Sequence, residues 1–319
     1  METLVSVIIP NYNSKQYIEQ CIDSLKNQTF HNFDIIVVDN ASKDDSAKIV
    51  EEKYPDVRLI RLSENFGFSR AVNEGISASK AEFVLLLNDD TKADEHFVEK
   101  MYAAISSDDK IFSASAKMVQ MFAPEKLDGA GDLYSALGWA YARGKDKSVN
   151  NKRFNKPCDI FASCGGAAIY RKSILNEIGY FDEFNFAYLE DIDIGYRARI
   201  YGYRNVYQPE AVVYHVGSAV SGSRYNDFKV RLSARNNIYI VFKNMPIPQL
   251  ILNLPILLIG FGIKAVFFTL KGYSRPYFSG LLRGYLLCGE GRKIRYDKRN
   301  FKNYLKIQIG LWINCFRRV

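Results

Sequence analysis

The chain has 319 residues, of which 48% are hydrophobic and 24% are charged, the balance of an ordinary folded protein. That length suffices for one large α/β domain with an appendage, or for two domains. The five cysteines are scattered and form no C-x-x-C pair, which argues against a disulfide framework or a structural zinc site and fits a reducing compartment.

The net charge of +8 is unevenly distributed along the chain. From Lys243 onward there are 14 Lys and Arg against 2 Asp and Glu, so this part carries +12 and the preceding part −4. A basic tail can bind a polyanion, either nucleic acid or an anionic lipid surface. The apolar character of the same tail favours lipid over nucleic acid.

Apolar runs and helical patterns alternate in the first 90 residues. The runs predict strands over residues 5–9, 35–38 and 83–87, and the first of these reads as a strand rather than a signal peptide. Apolar residues at helical spacing predict helices over residues 17–25, 45–54 and 69–78. This alternation indicates an α/β fold with a parallel, twisted sheet buried on both faces.

Each predicted strand ends in a polar cluster, namely Pro-Asn-Tyr-Asn at 10–13, Asp-Asn-Ala-Ser at 39–42 and Asn-Asp-Asp-Thr at 88–91. Ligands of such sheets bind at the carboxyl ends of the strands. We therefore expect a binding cleft where these clusters meet, although no G-x-G-x-x-G loop follows an early strand.

Further along, strands are predicted over residues 167–170 and 211–214, with a helix over 191–201 between them. Residues 246–270 are strongly apolar and nearly long enough to span a membrane, but they include Lys264. A second apolar run covers residues 281–288, and basic residues flank both runs. This pattern favours helices lying in a membrane surface, while a spanning helix or packed core helices remain alternatives.

Two acidic groups could carry chemistry. Asp89 and Asp90 follow a strand, where a divalent cation such as Mg²⁺ or Mn²⁺ would relieve their repulsion. A turn or a helix N-cap explains these residues equally well, since Asn and Asp are favoured in both. Glu190, Asp191 and Asp193 precede a helical run. Acids stabilise a first helical turn, but one aimed into the cleft could act as a general base on an acceptor hydroxyl.

Three other residues have a functional and a structural interpretation. His215 at a strand end could complete a carboxylate metal site or form a structural hydrogen bond. Arg70 near a predicted helix start could clamp a diphosphate or lie on the surface. Asp39 could accept the imide N–H of a pyrimidine base or cap the next helix.

The order of these motifs resembles family 2 glycosyltransferases over about residues 4–218. The resemblance rests on Ser-Val-Ile-Ile-Pro-Asn-Tyr-Asn at 6–13, Val-Asp-Asn-Ala-Ser at 38–42, Glu-Asn-x-Gly-Phe at 64–68, Asn-Asp-Asp at 88–90, Gly-Gly at 165–166, Glu-Asp-x-Asp at 190–193 and Tyr-His at 214–215. The Asn-Asp-Asp form of the metal motif is similar to the rhamnosyltransferase-like branch.

The resemblance implies a GT-A fold with a Rossmann-like nucleotide-sugar-binding domain, an inverting mechanism and a divalent metal. We expect residues 1–243 to form the catalytic domain, with residues 1–100 binding the nucleotide and residues 101–243 the acceptor. The apolar and basic composition of residues 244–319 predicts a helical membrane-association region. Asp191 matches the catalytic base, and Asp90 and His215 match the Mg²⁺ or Mn²⁺ ligands. The implied donor contacts are Pro10, Asn11, Tyr12, Asp39, Asn65, Gly67, Arg70, Asn88, Asp89, Gly165, Gly166 and Glu190.

The expected reaction is transfer of one sugar, with dTDP-L-rhamnose as the favoured donor and UDP-sugars as the alternative. The apolar tail suggests a polyprenyl-diphosphate-linked saccharide acceptor and a peripheral position on the cytoplasmic face of the cell membrane. A homo-oligomer is left open.

Three other functions are less well supported. Processive synthases of the family usually carry Gln-x-x-Arg-Trp, whereas residues 308–312 read Gln-Ile-Gly-Leu-Trp. A nucleotidyltransferase would be expected to have a Gly-rich basic loop after the first strand, whereas this chain has Pro-Asn-Tyr-Asn at residues 10–13. A non-catalytic binding module would have no need for both Asp90 and Asp191.

Overall fold

The computed structural model describes residues 3–217 and 225–317. Its strands are β1 (Val5–Asn11), β2 (Phe33–Asp39), β3 (Arg58–Arg61), β4 (Phe83–Leu87), β5 (Thr91–Ala93), β6 (Ile111–Gln120), β7 (Ala123–Gly129), β8 (Asp132–Tyr134), β9 (Ala140–Ala142), β10 (Cys158–Ile160), β11 (Ala167–Arg171) and β12 (Arg204–His215). Its helices are α1 (Ile18–Lys26), α2 (Ser46–Lys53), α3 (Phe68–Ala78), α4 (Phe97–Ser106), α5 (Lys172–Ile178), α6 (Glu190–Ile200), α7 (Asp227–Asn244), α8 (Ile247–Leu270), α9 (Ser274–Glu290) and α10 (Phe301–Phe316).

The central sheet has the strand order β10-β12-β6-β11-β4-β1-β2-β3, with β5 paired to β12 and β7 paired to β6. Strands β4, β1, β2 and β3 run parallel to one another. The parallel arrangement predicted for the first 90 residues is confirmed, and β3 is an additional strand that was not predicted. Strand β11 is antiparallel to both β4 and β6 and separates this parallel half from the parallel pair of β6 and β12. The predicted α/β fold with a mostly parallel sheet is confirmed.

Alternating residues of β1 face two separate apolar clusters. Val7 and Ile9 pack with α1 and α4 on one face of the sheet, and Ile8 packs with α3 on the other. A Cβ added to Gly75 of α3 would lie 2.4 Å from a methyl carbon of Ile8, so α3 rests directly on the sheet. The apolar runs that predicted these strands are therefore continuous because both faces are covered.

Strand β6 and helix α7 were not predicted, because polar residues interrupt their patterns. In β6, buried Ser113 contacts Asn205 of the neighbouring strand through its hydroxyl. In α7, Asn236, Asn237 and Lys243 are buried. Polar side chains replace apolar ones at these core positions, so hydrophobic periodicity alone gives no signal.

Helix α8 is the one helix among the described residues that is long and apolar enough to cross a membrane, with a mean hydropathy of 2.2. Its buried residues, Gln249, Asn253, Leu257 and Gly260, recur every three or four positions and form a narrow face. Gln249 accepts a hydrogen bond from the Tyr196 hydroxyl of α6 at 2.9 Å. The helix is therefore attached to the catalytic part of the fold along this face.

A buried ionic network joins α6 to α7. The Asp193 carboxylate is 2.9 Å from Lys243 Nζ and 2.9 Å from an Arg197 nitrogen, and it accepts a hydrogen bond from Asn244 at 2.8 Å. Burial alone would raise the pKa of Asp193, but the charges of Lys243 and Arg197 outweigh it and lower the pKa to about 2. The network therefore stays ionised and fixes the helix that carries Asp191.

We predict that Asp193→Ala lowers the free energy of unfolding by about 3 kcal/mol, because it leaves two buried cations short of their shared partner. The stabilisation from Asp193 is present above the ordinary carboxyl pKa and is lost as the pH falls toward 2. Urea denaturation at neutral pH measures the loss. Asp109→Ala, at a fully exposed carboxylate, is the matched control, and a loss below about 1 kcal/mol for Asp193→Ala would contradict the prediction.

Candidate active site

A cavity of about 800 Å³ opens at the carboxyl ends of β1 and β4. The turn before α6, the β8–β9 hairpin and the start of α7 complete its walls. The predicted site residues that line it are Pro10, Asn11, Tyr12, Asn65, Gly67, Asn88, Asp89, Asp90, Gly165, Gly166, Glu190, Asp191 and His215. The fold thus brings the acids after β4, the acids before α6 and the histidine at the end of β12 to one place.

His215 at the end of β12 is held between two carboxylates. Its Nε2 lies 3.1 Å from Asp90 Oδ1, and its Nδ1 lies 2.8 Å from Asp128 Oδ2. Lys145 contacts the other oxygen of Asp128 at 2.5 Å. Burial opposes the charged imidazolium, but the hydrogen bond to the Asp128 carboxylate and the adjacent carboxylate of Asp90 outweigh it and raise the pKa of His215 to about 9.

The donor atoms around Asp90 fit a divalent cation. Asp90 Oδ1 is buried and accepts no well-directed hydrogen bond from the described residues. It faces the imidazole Nε2 of His215, while Asp128 takes up Nδ1 on the far side of the ring. A carboxylate oxygen and an imidazole nitrogen oriented by a second carboxylate are a common metal donor set.

Asp89 joins the loops that follow β1 and β4. Its Oδ2 accepts a hydrogen bond from the Tyr12 backbone N–H at 3.1 Å. Burial, and then the charge of Asp90, raise the pKa of Asp89 to about 7. The Asp89 carboxyl group therefore fixes the loop after β1 to the loop after β4.

Asp39 lies behind the cavity wall. It is buried, and its Oδ1 accepts a hydrogen bond from the Asn11 side chain at 2.7 Å. Asn11 lines the cavity, whereas Asp39 is not among the lining residues. Its contact with a nucleotide base stays a prediction.

Arg70 of α3 lies outside the cavity lining. Its guanidinium is exposed and forms ion pairs with Glu74 at 2.6 Å and Glu183 at 3.2 Å. Gly67, one turn earlier, does line the cavity, and a Cβ there would lie 2.5 Å from the Phe186 carbonyl oxygen. Its φ of +86° also favours glycine. Glycine at position 67 therefore allows the loop before α3 to lie directly against Phe186.

Asp191 begins α6 beside two residues that sequence reasoning did not identify. Its carboxylate accepts a hydrogen bond from the Ile192 N–H at 2.7 Å. Oxygens of Asp191 and Asp132 and the sulfur of Cys164 lie within 4.8 Å of one another. Burial raises the pKa of Asp191. Burial raises the pKa of neighbouring Glu190 as well, to about 8.

The turn that presents Asp191 has an unusual backbone. Phe186, Tyr188 and Leu189 have φ values of 59°, 70° and 69°, which cost strain in residues other than glycine. The buried Asn236 amide of α7 donates to the carbonyl oxygens of residues 185, 187 and 188 at 2.6 to 2.9 Å. Helix α7 therefore holds the turn in place.

The sequence interpretation missed Asp128, Asp132, Cys164 and Asn236 in this region. A signal for the first two does exist, since Asp128 and Asp132 flank Gly-Ala-Gly. That short run makes the turn between β7 and β8, with Gly131 at a φ of +84°. For Asn236 the sequence offers no local signal, because its partners lie about 50 residues earlier.

Comparison with known proteins bears on this site. Among relatives, the chain is 31% identical to glycosyltransferase GlyG of Streptococcus pneumoniae over 112 residues, which cover 34% of this chain and 37% of GlyG. It is 24% identical to N-acetylglucosaminyl-diphospho-decaprenol L-rhamnosyltransferase of Mycobacterium tuberculosis over 242 residues, which cover 67% of this chain and 76% of the relative.

Among solved structures, the fold is similar to that of GalNAc-T7 crystallised with UDP, GalNAc and Mn²⁺. The TM-score is 0.62 at 16% identity, and the match covers 75% of this chain and 48% of GalNAc-T7. The family model of glycosyl transferase family 2 matches residues 6–179. These residues supply most of the cavity lining and make up more than half of the sequence. The chain therefore belongs to glycosyl transferase family 2.

Proposed function

We propose that this chain transfers one L-rhamnose, with inversion, from dTDP-L-rhamnose to a polyprenyl-diphosphate-linked saccharide in cell-surface polysaccharide synthesis. The observation that carries the proposal is that Asp90, His215 and Asp191 line one cavity. The sugar and the lipid-linked acceptor are supported by the mycobacterial relative, whose name specifies both a rhamnosyl group and a decaprenol diphosphate.

The reaction needs a base and a stabilised leaving group. The Asp191 carboxylate takes the proton of the acceptor hydroxyl while that oxygen attacks the anomeric carbon from the face opposite the diphosphate. The bond from the anomeric carbon to the diphosphate breaks, and the configuration inverts. The strained turn held by Asn236 and the network around Asp193 keep Asp191 in place for this step.

Asp90 and His215 would hold a Mg²⁺ or Mn²⁺ ion, and the Nε2 proton that the two neighbouring carboxylates favour on His215 would have to leave for the ion to bind. When bound, such a cation offsets the negative charge of the departing diphosphate. Asp128 fixes the orientation of the His215 ring and directs Nε2 toward Asp90. The Mn²⁺ and UDP in the GalNAc-T7 crystals support a divalent cation at this kind of site. For Arg70 to contact the diphosphate, its two ion pairs would first have to open.

A screen of nucleotide sugars tests the function. Isothermal calorimetry with dTDP-L-rhamnose and with UDP-sugars, each with and without Mn²⁺, identifies the donor, and transfer to a polyprenyl-diphosphate saccharide identifies the acceptor class. We expect metal-dependent binding of dTDP-L-rhamnose. Tighter binding of a UDP-sugar would favour the alternative donor, and no binding of either class would reject the proposal.

Asp191→Asn is expected to reduce transfer by about 10²- to 10⁴-fold, because the amide cannot accept the acceptor proton. Donor affinity should change by less than about threefold, since the substitution preserves the shape and removes only the base. Turnover is followed by release of the nucleoside diphosphate. Asp109→Asn at the exposed carboxylate is the matched control, and unchanged turnover for Asp191→Asn would exclude it as the base.

Asp128→Asn is expected to weaken Mn²⁺ binding by about 10- to 100-fold, because it removes the carboxylate that orients His215. The substitution leaves both proposed metal ligands, Asp90 and His215, in place. A loss of Mn²⁺ affinity would therefore reflect a changed orientation of the His215 ring. Calorimetric titration of the metal-free protein with MnCl₂ measures it. Wild-type affinity in Asp128→Asn would show that the Asp128 contact does not serve a metal site.

We further propose a peripheral position on the cytoplasmic face of the cell membrane. The exposed apolar surface of the C-terminal helices supports the contact with a membrane. The exposed apolar side chains of α8 are Ile247, Ile251, Leu252, Leu254, Leu258, Ile259, Ile263, Val266, Phe267 and Leu270. Helices α9 and α10 add Phe278, Leu282, Tyr285, Leu286, Phe301, Leu305, Ile309, Trp312, Ile313 and Phe316. Exposed Arg and Lys residues lie beside them, as expected at an anionic lipid surface.

The double variant Ile251→Glu and Leu258→Glu is expected to bind vesicles of anionic phospholipid at least about tenfold more weakly. Both side chains are about two thirds exposed, so the folded state does not depend on burying them, while membrane binding loses apolar contact and gains charge repulsion. Vesicle co-sedimentation measures the partition. Phe122→Glu, an exposed apolar residue between β6 and β7, is the control, and equal pelleting of the double variant would contradict a lipid-facing α8.

A further inference from the structure

Asp132 is a buried acid placed beside Asp191 by a rigid piece of backbone. Asp132 is the first residue of β8. Its backbone N–H donates a hydrogen bond to the Ala162 carbonyl at 2.9 Å, and its backbone carbonyl accepts one from the Phe161 N–H at 2.9 Å. Its side chain lines the catalytic cavity with that of Asp191, with carboxylate oxygens of the two within 4.8 Å of each other. Because both main-chain groups are fixed, the backbone holds Asp132 at this position beside Asp191.

The charges around this pair do not neutralise it. Glu190 from α6, Asp128 from β7, Cys164 before β11 and Tyr170 in β11 add acidic groups, and Lys145 supplies the opposing positive charge. Lys145, however, contacts Asp128 at 2.5 Å. Asp132 is buried and Asp191 is partly buried. Two carboxylates this close with little solvent around them cannot both be ionised at low cost, so the pair retains one proton at neutral pH.

The local hydrogen bonds decide which acid is ionised. Asp191 accepts the Ile192 N–H at 2.7 Å and lies at the amino end of α6, where the helix dipole favours a negative charge. Asp132 lies in a short strand without that field. The shared proton therefore belongs on Asp132, and the ionised group is Asp191.

We propose that Asp132 is a positioning residue whose protonated carboxyl group donates a hydrogen bond to the ionised Asp191 and holds it toward the acceptor hydroxyl. The inference rests on the proposed function of Asp191 as the base. During transfer Asp191 takes the acceptor proton and Asp132 keeps its own, so the pair ends the step with two protons. Burial and the neighbouring Asp191 raise the pKa of Asp132 well above its ordinary value, in agreement with this assignment.

The pair gives the reaction two pH limits. At low pH a second proton neutralises Asp191 and removes the base. At high pH Asp132 loses its proton, and repulsion displaces Asp191 from its position.

Asp132→Asn keeps a hydrogen-bond donor at every pH. It should therefore retain kcat within about threefold near neutrality and keep the acid limb of the pH profile, while the part of the alkaline fall due to Asp132 disappears. Asp132→Ala should lose at least about tenfold in kcat and shift the acid limb upward, because Asp191 loses its donor.

Thermal unfolding as a function of pH provides a readout that does not depend on transfer. A buried acid whose folded pKa is raised destabilises the fold progressively as the pH rises from its ordinary pKa to its raised value. Asp132→Asn removes this loss, so its Tm should equal that of wild type near pH 4 and exceed it by about 2 °C or more near pH 8. Asp109→Asn, at the exposed carboxylate, should follow the wild-type curve at both pH values.

The experiment compares wild type, Asp132→Asn, Asp132→Ala and Asp109→Asn in kcat against pH and Tm against pH. Retention of kcat by Asp132→Asn at alkaline pH where wild type loses activity, together with its higher Tm, supports the proposal. Identical profiles for Asp132→Asn and wild type, or full activity of Asp132→Ala, overturn it. If wild type transfers no sugar but Asp132→Asn still shows the pH-dependent rise in Tm, the acid pair stands and the proposed function fails.

Discussion

The central constraint on this molecule is the concentration of carboxylates at one end of its sheet. Asp89, Asp90, Asp132, Glu190 and Asp191 all line the same cavity. The fold balances their charge in different ways. His215 lies between Asp90 and Asp128, and Lys145 pairs with Asp128. Burial raises the pKa values of Asp89 and Glu190 to about 7 and 8. Protonation of these two carboxyl groups therefore reduces the remaining negative charge. A bound cation would be one further means of balancing the same charge.

A second constraint is the fixed position of α6, which carries Asp191. Asp193 links this helix to Lys243 of α7, and Tyr196 links it to Gln249 of α8. Asn236 of α7 holds the strained turn just before α6. The turn before α6 therefore packs with the C-terminal helices α7 and α8. The predicted domain boundary between residues 243 and 244 stays a prediction.

The parts of the fold that were predicted correctly are those with a clear local pattern of apolar residues in the sequence. Residues 83–87 were predicted as a strand and form β4 with the same bounds, because a continuous apolar run buried on both faces leaves little ambiguity. The metal and base candidates came from a resemblance, and the structure places Asp90, Asp191 and His215 in one cavity. The site of Arg70 could not be predicted, since its partner Glu183 is 113 residues away. Asp132 has the same difficulty, because its partner lies 59 positions later in the chain.

The amide cluster of α8 has a consequence for how the protein is made. Asn253 exchanges hydrogen bonds with Gln308 of α10, and Gln249 donates to the same Gln308 side chain, which is synthesised 55 to 59 residues later. Until α10 emerges from the ribosome, these amides have no Gln308 to bind, and lipid offers them no substitute. Insertion of α8 into a bilayer as it leaves the ribosome would strand polar groups in hydrocarbon. The hydrogen bonds that join α8 to α10 therefore form only after α10 has been translated.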